Sequence, residues 1–212
     1  MMTSHSHHEE MPQPHAHTAH QEHGQHGAGG SANAMAVSAT LHCLTGCAIG
    51  EIAGLMIGTA LGFSNVATIA LAVGLAFLFG YALSTLPLLK AGMALGAALS
   101  VVLAADTLSI LTMEVVDNAV MVVIPGAMDA GLVNPIFWVG MMIALTAAFL
   151  AAYPVNRYLL QRGKGHALTH EYHHSSHEAN GSRRFIPSLS TGALVASIIA
   201  FMLGGLVVSL AA

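Results

Sequence analysis

Five long apolar runs, almost free of charge, govern what this chain can fold into. They lie at roughly 38 to 63, 65 to 89, 91 to 125, 135 to 160 and 187 to 211. Each approaches the ~20 residues that a helix needs to cross ~30 Å of hydrocarbon. An open sheet edge in lipid would leave its backbone groups unpaired, so every run is predicted to be a helix. Composition agrees: 8% of the residues are charged and the mean hydropathy is +0.68, where a soluble domain carries roughly a quarter charged residues. The expected fold is therefore all-α, a polytopic transmembrane bundle of about five spanning helices with the lipid bilayer as its main partner. Residues 1–35 form a His-rich tail expected to be disordered, 38–162 a four-helix core, 163–186 a basic His-rich loop and 187–211 the fifth helix.

Turn signals punctuate the runs. Phe63-Ser64-Asn65 separates the first two, Leu86-Pro87 through Gly92 the second and third, and Pro125-Gly126 with Asn134-Pro135 brackets a loop holding Asp129. The third run exceeds a simple span, so it must tilt, bend, break or project. All six basic residues fall in two places: Lys90, and the group Arg157, Arg162, Lys164, Arg183 and Arg184. With five spans both places lie on one side, which the positive-inside rule makes cytoplasmic. A bacterial inner membrane with the N-terminus cytoplasmic and the C-terminus outside is the expected placement. Residues 1–35 hold no Lys or Arg and read as a polar tail, not a cleaved signal. No basic stretch suggests nucleic acid.

The first helix carries two stripes at intervals of four. Cys43, Cys47 and Glu51 form one, with His42 beside it; Gly46, Gly50, Gly54, Gly58 and Gly62 form the other. A small-residue stripe admits a neighbouring backbone closely and is read as helix packing. Imidazole, thiolate and carboxylate are donors that transition metals prefer, so His42, Cys43, Cys47 and Glu51 are the candidate metal ligands. The third helix carries Asp106, Glu114, Asp117 and Asn118. Ionisable groups at such depth are costly and mark functional candidates, here a polar pathway. Spacing puts Asp106, Met113 and Asp117 on one face and Thr107, Glu114 and Asn118 on the next. Counting from 38 and 93, Glu51 and Asp106 are expected at similar depth.

Thirteen further histidines sit outside the helices. His5, His7, His8, His15, His17, His20, His23 and His26 lie in the tail; His166, His170, His173, His174 and His177 lie in the last loop. Such tracts suit labile capture of Cu, Zn, Ni or Co; the alternative is a pH-responsive polar tail. The chain lacks a Walker-type phosphate loop, a nucleophile elbow and an HExxH motif, so it reads as a binding or transport protein more than an enzyme.

Three passages carry a family resemblance: Leu41-His42-Cys43 through Gly50-Glu51; Ala105-Asp106-Thr107-Leu108-Ser109-Ile110 with Met113-Glu114 and Asp117-Asn118; and Pro125-Gly126-Ala127-Met128-Asp129 leading to Tyr153-Pro154-Val155-Asn156-Arg157 and Gly163-Lys164-Gly165-His166. Together, over roughly residues 38 to 170, the chain resembles a bacterial integral membrane family catalogued as domain of unknown function 4396. The resemblance implies a membrane core and assigns no activity. Three functions stay open on sequence: transport, binding or sensing of a transition-metal cation; a membrane thiol-redox protein using Cys43 and Cys47; and a scaffold or assembly protein, homo-oligomer included, packing through the glycine stripe.

Overall fold

The computed structural model describes residues 25–90, 92–162 and 190–212, with side chains described from residue 32 onward. The described residues form five helices and no strand: α1 (Gln25–Ala60), α2 (Asn65–Lys90), α3 (Leu95–Val123), α4 (Pro135–Gln161) and α5 (Thr191–Ala211). All five contain a stretch long and apolar enough to cross a membrane. Large apolar side chains such as Leu78, Leu103, Leu111, Leu150 and Val208 point outward, as hydrocarbon solvent allows and water would not.

Several boundaries differ from the sequence reading. α1 starts at Gln25, inside the segment expected to be a disordered tail. Ala32, Ala34 and Ala36 favour helix just ahead of residue 38, since alanine is the best helix former, whereas Gly27, Gly29 and Gly30 in the opening turns do not. α2 runs through Pro87 to Lys90, so Leu86-Pro87 is helix and not separator. Proline there withholds one donor from the ladder. The carbonyl that loses its donor is that of Leu83, one turn back, and membrane helices tolerate such a loss within a packed bundle. The long third run is one unbroken helix of 29 residues. At 1.5 Å per residue that is about 43 Å, more than the hydrocarbon requires.

Helix ends follow local chemistry. Past Ala60, the Gly62 N–H donates to the Thr59 carbonyl at 3.2 Å and the Phe63 N–H to the Gly58 carbonyl at 2.8 Å. This Schellman pattern needs a left-handed residue, and Gly62 has φ +68°. At the start of α4 the Asn134 side chain accepts from the Ile136 N–H at 3.0 Å, with Pro135 in the first turn. Ser190 caps α5 in the same manner, accepting from the Ala193 N–H at 3.2 Å.

α1 is the axis of the bundle. It touches each of the other four helices and is the most buried of them. Its closest partner is α2. A Cβ placed on Gly46, Gly50 or Gly54 would lie within 2.2 to 2.4 Å of backbone atoms at Gly80, Ala76 and Ala72, and one on Gly58 would strike Thr68. The descending partner numbers define an antiparallel pair whose backbones nearly touch. Gly80 is pressed from its other side by Ile110 of α3. Gly62 takes no part in this seam; it ends the helix.

The remaining contacts fix the other helices around α1. Asn156 of α4 donates to Thr40 at 2.8 Å, a buried bond. Thr191 of α5 donates to Ser38 at 3.1 Å. Tyr81 of α2 and Thr107 of α3 share a hydroxyl bond of 2.8 Å. Trp138 donates its indole N–H to the Leu132 carbonyl at 2.7 Å and stacks edge-on against Phe137 and Phe201, which locks α4 to its preceding loop and to α5.

Candidate functional site

The face of α1 turned to α3 holds the groups that packing alone does not need. α1 and α3 run in the same direction, and their polar side chains meet in three steps. Cys43 lies against Asp106 and Ser109, with Ser84 of α2 at 3.8 Å from its sulfur. Cys47 faces Glu114. Glu51 stands against Asp117, with Glu114 also near. Every one of these side chains is buried: Cys43 0%, Cys47 2%, Asp106 2%, Glu114 4%, Asp117 4% and Glu51 9% exposed.

The helix spacing explains the pairing. On α1, a step of four residues advances about 6 Å and turns slightly past one full circle, so 43, 47 and 51 wind slowly along one side. On α3 the inward positions are 102, 105, 106, 109, 110, 113, 114, 117 and 121, all buried. That face is broad enough to hold Asp106, Glu114 and Asp117 together. Glu114 therefore parts from Thr107, whose hydroxyl turns to Tyr81 and to the Leu103 carbonyl, and joins the buried row. Asn118 is half-buried beside it and donates to the Glu114 carbonyl at 2.9 Å.

Glu51 and Asp106 are not at one depth. Asp106 pairs two turns earlier, with Cys43, because α1 begins far ahead of residue 38 and the register between the helices shifts accordingly. Nor do the four candidate ligands on α1 form one cluster. His42 to Glu51 spans about 14 Å of helix, and among the described residues no three His, Cys, Asp or Glu side chains converge on a point that could hold a metal ion. His42 is buried and its Nδ1 donates to the Ser38 carbonyl at 2.8 Å. Both cysteines are free thiols. His5 to His23 and His166 to His177 lie outside the described residues, as does the side chain of His26.

Two oxygens in the row have no hydrogen-bond partner, Glu51 Oε2 and Asp117 Oδ1. Orphaned buried polar atoms cost roughly 1–3 kcal/mol each, so they persist where something other than stability maintains them. The row ends in a cavity of about 110 Å³ lined by Glu51, Asp117 and Asn118, by Asn65 and Thr68 of α2, and by Met121, Met128 and Met141. Of the lining residues, Asn65 enters the sequence reading only as part of a turn. Ser109 carried only the signal of a hydroxyl three residues from Asp106, and Thr68, on a helix without acids, carried none.

No curated protein and no solved structure matches the chain. Residues 32–165, which contain the spanning part of α1, all of α2, α3 and α4, and the whole thiol and carboxyl row, match the family described as Domain of unknown function (DUF4396). The chain belongs to that family.

Proposed function

We propose that the protein is a multi-pass protein of the bacterial inner membrane that passes a transition-metal cation along the seam between α1 and α3. One observation carries this reading: thiols and carboxyls from two parallel helices meet in three successive buried steps, with unpartnered oxygens at Glu51 and Asp117. A seam built only for adhesion would use Ser, Thr or Asn at lower desolvation cost. A resident zinc site would gather four donors. Sparse steps of two donors hold an ion weakly at each level, which is what passage requires. The histidines of the tail and the last loop, on the cytoplasmic side by the distribution of basic residues, collect or receive the ion.

The other two readings have less support. Cys43 and Cys47 are shut away from water, out of reach of an exchanging thiol or disulfide. The glycine face is already filled by α2 of the same chain, leaving no groove there for a partner. The deciding measurement is cation flux into proteoliposomes carrying a trapped metal-sensitive dye, with Zn²⁺ and Co²⁺ as cargo. Flux falling to that of empty vesicles in Glu51→Gln and Asp106→Asn is expected; undiminished flux in both defeats the reading.

A further inference from the structure

The cavity at the end of the row has a definite address in the fold. Glu51 lies two to three turns before the end of α1 and Asp117 fewer than two before the end of α3, so both sit in the half of the bundle near the α1–α2 turn and the loop between α3 and α4. Asn65 and Met128, from that turn and that loop, form the rim, where Asn65 donates to Asp129 at 3.3 Å on the exposed surface. The described basic residues are Lys90, Arg157 and Arg162, at the far ends of α2 and α4. Within the described fold, the positive charge that would balance Glu51 and Asp117 is therefore at the opposite end of the bundle.

Two carboxyls side by side, more than nine-tenths buried, line this space, and each has one oxygen without a hydrogen-bond partner. The cavity, about 110 Å³, has room for roughly three waters at the ~30 Å³ each occupies in the liquid. A doubly charged ion that keeps part of its hydration shell meets all three conditions at once: charge, oxygen donors and volume. Carboxylate, carboxamide and water suit Mn²⁺ among first-row ions, and thioethers at Met121 and Met128 extend the range to softer ones.

We infer that this cavity is a docking site for a divalent first-row metal cation, held on Glu51 and Asp117 with Asn118 at its side and reached from the face opposite the basic residues. The inference rests on the cation reading above and adds where the ion is held and from which face it is reached. Sequence analysis placed Glu51 in a ligand set with His42 and the cysteines; the cavity pairs it instead with Asp117.

Mn²⁺ is the discriminating probe, because His-rich tracts favour Zn, Ni, Co and Cu over it. Free Mn²⁺ is measured by electron paramagnetic resonance against the full chain in nanodiscs. One bound ion per chain is expected, with affinity weakened at least roughly tenfold in Glu51→Gln and in Asp117→Asn and strengthened in Asn118→Asp, since charged oxygen ligands tune such sites. The gain in Asn118→Asp is the arm that a damaged fold does not mimic. Equal Mn²⁺ binding by the wild type and the Glu51→Gln/Asp117→Asn pair, or no gain in Asn118→Asp, overturns the site. Loss of Mn²⁺ binding with flux intact keeps the site and defeats the path; loss of flux with Mn²⁺ binding intact does the reverse.

Discussion

α1 presents two faces that solve opposite problems. Toward α2 it offers glycines, and the two backbones close to van der Waals contact at Gly46 and Gly50, with only Ala72 and Thr68 side chains between them further along. Toward α3 it offers Cys43, Cys47 and Glu51, and meets Asp106, Glu114 and Asp117, with Glu51 Oε2 and Asp117 Oδ1 left without a hydrogen-bond partner. The first face is complete as it stands: nothing can be added. The second is incomplete: it buries groups whose bonding capacity is unspent. Close contact between small residues is how membrane helices associate where hydrophobic burial gives no net drive. Orphaned carboxyls weaken the same bundle. A helix that does both along one length separates the part that holds the fold from the part that is kept despite its cost.

The largest effect that tests this contrast is on the glycine face. Gly50→Ala puts a methyl 2.2 Å from the backbone nitrogen of Ala76, and rigid backbone on both sides leaves nothing to yield. A loss of about 2 kcal/mol or more is expected, read as the unfolding midpoint in detergent; a midpoint unchanged from wild type breaks the description of that face. The opposite sign is expected across the helix. Glu114→Met replaces a buried carboxyl with an apolar side chain of nearly the same volume and removes its desolvation cost, so the bundle gains about 1 kcal/mol while cation flux is lost. A destabilised Glu114→Met would mean that the carboxyl contributes to the fold, and the comparison of the two faces would fail there. The smallest effect sharpens the boundary of the glycine face. Gly62 has no atom within 4 Å of where its Cβ would lie, so only its φ of +68° opposes a side chain. Gly62→Ala is expected to cost about 1 kcal/mol; a loss matching that of Gly50→Ala would place Gly62 in the contact seam after all.

The two faces differ also in how they are written in the sequence. Glycines four apart announce a close contact, yet nothing in them names Gly80, Ala76 and Ala72 as the partners, because partner choice depends on the turn at 61–64 and the register it sets. The acids of α3 stand out by their cost in an apolar run. Their grouping does not, since a single stripe of three- and four-residue steps is narrower than the face α3 buries; this is why Glu114 joins Asp106 and not Thr107. Depth along the axis was misjudged for Glu51 and Asp106 for a plain reason. It was counted from where hydrophobicity begins, whereas α1 begins at Gln25. The cavity was not legible at all, because Asn65 and Met128 reach it from a turn and a loop that only the folded chain brings together.

The turn closed by Gly62 has one more consequence, for the order of assembly. α1 and α2 are neighbours in sequence, joined by four residues and in contact through their smallest side chains, so theirs is a contact with a short loop to close, and it is expected to form early. At that stage Cys43, Cys47 and Glu51 are uncovered. α3 is the lid that arrives next, and its acids give it no apolar reward for settling there. In a hairpin without α3, the polar residues left uncovered would be the ones on which the proposed chemistry depends.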